Sequence, residues 1–249
     1  MKRLFITLLI ISIIAPAWAD DDRFSKANTM YGEGQYEQAI QQYEEILSTG
    51  VESGELYFNL GNAYYKFGEL PSAILNYERA RLLKPQDSDI KYNLELAYTQ
   101  TTDKIETKGT FFLTQWVSSI RNKATSDFWT LLGIGCFALT LLFAGFFMYS
   151  NSIIMKKAGF YLAIIMVVST FFTLSFGYKQ KDKLVNRTHA IVFSPSVTVK
   201  SSPDVSGTEI FILHEGTKVK VIGTLGNWKE IELADGNVGW IEMENITMI

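Results

Sequence analysis

The side chains of this 249-residue chain whose types and spacing could do chemistry are amides and aromatic rings. Asn28, Asn59, Asn62 and Asn93 stand among Tyr31, Phe58, Tyr65 and Tyr92. A carboxamide offers an acceptor oxygen and two N–H donors, and a phenol both donates and accepts. Such a set suits the backbone of an extended peptide. Nothing comparable points to catalysis. His189 and His214 stand apart in strand-like contexts and read as structural. There is no phosphate loop, no histidine pair at metal spacing and no serine elbow. Cys136 is the single cysteine, in an uncharged run, so intramolecular disulfides and cysteine-rich metal sites are excluded. No catalytic, cofactor-binding or metal site is expected, and the chain reads as a binding protein and not an enzyme. With 23 basic against 26 acidic residues it lacks a basic footprint, so nucleic acid is not an expected partner.

The amides must be positioned by helices that repeat. Ala39 and Ala73, Gly34 and Gly68, and Tyr43 and Tyr77 are pairs 34 residues apart, and Ala27 aligns with Gly61 at the same offset. That period belongs to tetratricopeptide repeats, which are helix–turn–helix units. Residues 54–87 resemble that family closely: Tyr57 in the usual tryptophan place, then Leu60, Gly61, Tyr64, Ala73, Tyr77, Ala80 and Pro85. Small residues at Gly61 and Ala73 let two helices approach, Tyr64 and Tyr77 fill the space between, and Pro85 cannot continue a helix. A weaker unit covers about 20–53, and residues 88–100 supply the first helix of a third unit, read as a capping helix. In this register the first helices line a concave groove with Phe24, Asn28, Tyr31, Phe58, Asn59, Asn62, Tyr65, Tyr92 and Asn93. The groove either binds an extended peptide or is a plain solvated face. One subclass of the family grips a C-terminal carboxylate with two asparagines and three basic residues. Asn28 and Asn59 match its asparagines, but Phe24, Asp89 and Asn93 occupy the basic places, so that clamp is not expected here.

Three apolar segments concern a membrane. Lys2 and Arg3, the apolar run Leu4 to Ile14 and Ala17-Trp18-Ala19 form a cleavable signal over 1–19, with an uncleaved anchor as the alternative. Residues 128–149 and 158–178 carry no charge and are each long enough to cross a bilayer, joined by the short link 150–157. They read as a transmembrane hairpin with Trp129, Tyr149, Tyr161 and Tyr178 near its ends. The signal puts residues 20–102 and their linker 103–127 outside the cytoplasm. Against this, Arg121, Lys123, Lys179, Lys181 and Lys183 flank the hairpin on that outer side, whereas the positive-inside rule would place them inside.

After the linker 179–188 the pattern changes to period two, with turns at Ser201-Ser202-Pro203, Glu215-Gly216, Gly226-Asn227 and Asp235-Gly236. Residues 189–249 read as a small β-barrel or sandwich and resemble bacterial SH3 domains. The resemblance rests on Val197-x-Val199 leading into Ser202-Pro203, "LHEGTKVKV", Trp228 and "DGNVGWI". Trp228 and Trp240 are candidate surface aromatics; the alternative packs them on the barrel, with Trp240 pointing back onto it.

The fold class is therefore multidomain: an all-α repeat array, two transmembrane helices and a small all-β SH3-like barrel. With "DKIETKGTFFLTQWV" before the hairpin, this order resembles the BatE-type proteins of aerotolerance operons in Bacteroidetes-like bacteria. The resemblance implies a non-enzymatic inner-membrane scaffold with both folded domains in the periplasm. It also implies neighbours that are membrane proteins with von Willebrand A domains and a MoxR-type ATPase. Two weak binding domains on one hairpin would act by raising local concentration. The alternative is a cell-wall tether binding peptidoglycan peptides through the SH3-like domain. A sensor signalling through the hairpin has little to work with, because the inner link is short.

Overall fold

The computed structural model describes residues 19–106, 109 and 111–249. The signal expected over 1–19 falls outside them, apart from Ala19. Five helices come first: α1 (Ala19–Gly32), α2 (Tyr36–Ser48), α3 (Gly54–Phe67), α4 (Leu70–Leu83) and α5 (Ser88–Thr99). Their ends are set by local chemistry. Ser53 Oγ accepts from the Leu56 amide to cap α3, Gly68 closes α3 at φ 98°, and Pro71 sits in the first turn of α4. The Asp87 carboxylate caps α5 by accepting from the amides of Asp89 and Ile90. α1 with α2 and α3 with α4 form two helical hairpins, and α5 stands as the first helix of a third.

The helix approach inferred at Gly61 is tight. A Cβ there would lie 2.7 Å from Tyr77 Cδ1 and 3.3 Å from the Ala73 carbonyl oxygen. Gly61→Val is expected to cost about 1–3 kcal/mol by overpacking, read as a lowered urea midpoint of the full chain in nanodiscs.

α6 (Phe112–Arg121) is short and buries none of its residues. α7 (Ser126–Tyr149) and α8 (Ile153–Val185) each contain an 18-residue stretch, of mean hydropathy 2.3 and 2.0, and are long and apolar enough to cross a membrane. They pack closely at small residues: a Cβ on Gly159 would meet the Phe143 carbonyl oxygen at 2.8 Å. At 33 residues α8 is roughly 50 Å long, so its charged last turns run past the apolar stretch. Only residues 186–188 separate it from the first strand.

The strands are β1 (His189–Val192), β2 (Ser196–Lys200), β3 (Glu209–His214), β4 (Lys218–Leu225), β5 (Trp228–Glu232), β6 (Val238–Glu242) and β7 (Ile246–Met248). They form one antiparallel sheet in the order β3-β2-β6-β5-β4-β1-β7. It curls round a single core that includes Val192, Val199, Leu213, Val219, Ile231 and Ile241. Period two decides the tryptophans. Gly239 and Ile241 are buried, so Trp240 between them takes the opposite face, and Trp228 lies off the Ile231 face in the same way. Neither packs against the core, which corrects the expectation that Trp240 points back onto the barrel.

A second hydrophobic cluster joins the two folded parts. Ala73, Ile74 and Leu75 of α4 and Leu94 and Ala97 of α5 pack with Ile191 of β1 and with Ile249. The sheet sits where the second helix of a third repeat would lie. The array ends in the one further helix α5, and Ile191 and Ile249 of the sheet pack against it.

Candidate groove and the seat of the sheet

The groove amides form a hydrogen-bond ladder between the first helices. Asn28 Oδ1 accepts from Tyr43 Oη at 2.6 Å and from Asn59 Nδ2 at 2.9 Å. One repeat later, Asn62 Oδ1 accepts from Tyr77 Oη at 2.8 Å and from Asn93 Nδ2 at 2.8 Å. Burial pushes the Tyr43 phenol up to about 12, and burial raises Tyr77 as well, so both keep their protons and donate. Each phenol thus fixes which way its asparagine faces. The Nδ2 groups of Asn28 and Asn62 and the Oδ1 groups of Asn59 and Asn93 have no side-chain or backbone partner among the described residues. The ladder therefore ties α1, α3 and α5 side by side and leaves alternate donors and acceptors for a ligand.

The other groove candidates divide. Phe58 lies on Tyr77 at 6.0 Å between ring centroids, and Tyr31 on Tyr36 at 5.5 Å, so both are largely packing residues. Tyr65 Oη accepts from Gln100 Nε2. Tyr92 is 67% exposed, with none of the ring contacts that hold the others. These residues carry no charge, so the surface fits a neutral extended segment.

The seat of the sheet is polar at four points that sequence reasoning missed. Glu78 of α4 is 2% exposed and accepts from Lys218 Nζ at 2.8 Å, Arg81 Nη2 at 2.6 Å and Tyr98 Oη at 2.7 Å. Burial pushes the Glu78 carboxyl up, but Lys218 and Arg81 beside it outweigh that and hold it below the usual carboxylate range. Asp103, in the segment after α5, accepts from the His214 amide at 2.7 Å, from His214 Nδ1 at 2.8 Å and from Thr217 Oγ1 at 2.6 Å. His214 is thus held from outside its own sheet. Arg187 Nη2, just before β1, meets Glu52 Oε2 at 2.6 Å, and Arg79 Nη2 donates to the Met248 carbonyl at 2.8 Å. Ile105 packs on the core of the sheet itself. One signal in the sequence could have shown this seat: the array stops after a lone helix, which leaves α4 and α5 uncovered.

On the outer face of the sheet, Lys200 is paired with Trp240, and its Nζ lies 6.0 Å from the Trp228 ring centroid. This is a cation–π arrangement in a solvent-facing position.

Comparison with known proteins agrees with the two folded parts. The tetratricopeptide repeat family model matches residues 54–87, and the bacterial SH3 domain model matches residues 195–247. Among solved structures, the chain is similar to the type III secretion translocator chaperone SycD of Yersinia enterocolitica. Identity there is 12%, over 66% of this chain and 91% of that one, with a TM-score of 0.33. It is similar also to the Sgt2 TPR domain from Aspergillus fumigatus, at 15% identity over 69% of this chain and 85% of that one, with a TM-score of 0.32. No curated protein matches the chain.

Proposed function

We propose that the chain is a non-enzymatic inner-membrane scaffold. The hairpin α7–α8 anchors it, and the repeat groove holds an extended, uncharged segment of a protein partner. The leader sequence supports a periplasmic position for repeats and sheet. The resemblance to BatE-type proteins suggests the setting, an aerotolerance or envelope-stress complex. There, membrane proteins with von Willebrand A domains and a MoxR-type ATPase are the candidate partners. The observation that carries the reading is the asparagine ladder, which holds free amide groups in register on an uncharged face. The packed seat changes the mechanism expected from sequence. Repeats and sheet act as one body presenting one groove, and not as two loosely tethered binders.

The test is in-cell photo-crosslinking from position 92, with an affinity tag inserted in the 150–152 link because Ile249 is only 3% exposed. A membrane-protein partner captured at position 92, and lost with Asn62→Ala, is the expected result. Capture of the same proteins from the far face at position 37 would remove the groove reading.

A second reading has its own observation. Trp228 and Trp240 on the solvent-facing side suit a cell-wall tether through stacking on peptidoglycan peptides. Trp228→Ala with Trp240→Ala should then abolish sedimentation of the full chain with purified cell wall.

A further inference from the structure

Two of the five cations that oppose the positive-inside rule, Lys123 and Lys183, line one cleft. This cleft, of about 870 Å³, opens between the repeat array and the hairpin. Arg81 and Lys91 line it from the repeats, Lys123 from the α6–α7 corner, and Gln180 and Lys183 from α8. Arg81 is committed to Glu78, and Lys91 lies 3.9 Å from Glu95. Lys123 and Lys183 have no acid within 4.0 Å among the described residues. Lys183 Nζ donates instead to Asn122 Oδ1 at 3.0 Å. Three acids line the cleft as well: Asp87 is engaged by the amides that start α5, Glu95 faces Lys91, and Asp127 accepts from Ser126 Oγ in the first turn of α7. Arg121, beside Asn122, has a buried Nε with no partner. Lys123 and Lys183 are therefore the lining cations left without an ion-pair partner, and a cation so placed can take an anion from solution or membrane.

The depth of the cleft says which anion. Trp129 Nε1 donates to the Arg121 carbonyl at 2.9 Å, which fixes the corner against the start of α7. Trp129 and Tyr178 stand at the same end of the hairpin, where such rings favour the headgroup layer. α6 exposes Phe112, Leu113, Trp116 and Val117, the pattern of a helix lying in the membrane interface. The cleft is lined by Ser119 of α6, Ser126 at the start of α7 and Gln180 of α8, so it lies at that end of the hairpin. We propose that it holds the phosphate headgroup of an anionic phospholipid, with Lys123 and Lys183 facing the charge and Asn122 and Gln180 lining the site. This rests on the hairpin lying in a membrane. It would explain why Lys123 and Lys183 are tolerated on the outer side.

The test uses the full chain in nanodiscs of equal phosphatidylglycerol and phosphatidylethanolamine, released gently, with retained lipid counted by native mass spectrometry. The wild type should retain phosphatidylglycerol preferentially, and Lys123→Gln with Lys183→Gln should lower that retention about tenfold. Lys179→Gln with Lys181→Gln, outside the cleft, should leave it unchanged. Equal retention by the cleft variant, equal retention of the two lipids, or equal loss in both variants overturns the proposal. Displacement of the lipid by millimolar inorganic phosphate assigns the site to free phosphate and overturns it too. A chain washed from membranes by alkaline carbonate would instead sink the membrane reading itself.

Discussion

Replacing Glu78 by alanine will loosen the sheet from the repeats. The substitution leaves half-buried Lys218 against α4 without its counter-ion, and Tyr98 Oη without its acceptor. Removing one partner of a buried pair costs about 3–5 kcal/mol, whereas replacing both by apolar side chains is often nearly neutral. Glu78→Leu with Lys218→Met should therefore recover most of the loss. Hydrogen exchange of the full chain in nanodiscs reads both outcomes. In Glu78→Ala, amides of β1 and the second half of α4 should exchange faster, while α1 and α2 stay protected. Unchanged protection at β1 would mean that the apolar contacts of Ile191 and Ile249 hold the seat without the ion pair.

The second large effect is expected at Asp103. Asp103→Ala removes three hydrogen bonds at once and leaves the His214 amide unpaired, a loss of about 2–3 kcal/mol. The pH dependence follows from the carboxyl. Burial pushes it up, but hydrogen bonds from Thr217 and His214 outweigh this and hold it below its ordinary value of 3.8. A carboxyl lowered in the folded state contributes stability above the unfolded value and loses it as pH falls through the folded one. Glu78 has the same sign relative to its ordinary 4.5. The two carboxylates should thus hold the seat through neutral pH and loosen it below about pH 4. His189 of β1, pushed down from 6.5 to about 4 by burial, adds a shallower loss of stability between those values, as the unfolded chain takes up its proton first. In Asp103→Ala the carboxylate step below about pH 4 should shrink, because one of the two carboxylates responsible is gone. An acid step of undiminished size in the variant would place its origin elsewhere.

Much of the architecture was legible because each part repeats a local rule. The 34-residue offset from Ala39 to Ala73, and Gly61 opposite Tyr77, follow from how closely two helices can approach. The uncharged runs of α7 and α8 and the period-two strands are equally local. The groove asparagines were found by their register, but not their partners. Asn28 meets Asn59 and Tyr43 through the stacking of units, which one unit's pattern does not contain. The seat was not legible for the same reason. Ile191 and Ile249 read as ordinary strand residues, and Glu78 sits where the first unit has the exposed Glu44. Only the docked sheet buries them. Trp240 was misplaced because its assignment rested on resemblance and not on counting alternation from Ile241.

The scaffold reading rests on repeats, linker and sheet being one body, and one disulfide tests that directly. A Cβ on Gly216 would lie 3.9 Å from Thr101 Cβ, within disulfide range. Thr101→Cys with Gly216→Cys, in a Cys136→Ala background, links the end of the repeats to the β3–β4 turn. Gly216 has φ 81°, so the cysteine there carries some strain, but the spacing is right. The account predicts that the purified full chain in nanodiscs forms the intramolecular bridge under mild oxidant and that both thiols resist alkylation afterwards. Two freely alkylated thiols with no intramolecular bridge would contradict it, and would return the protein to two separately tethered domains.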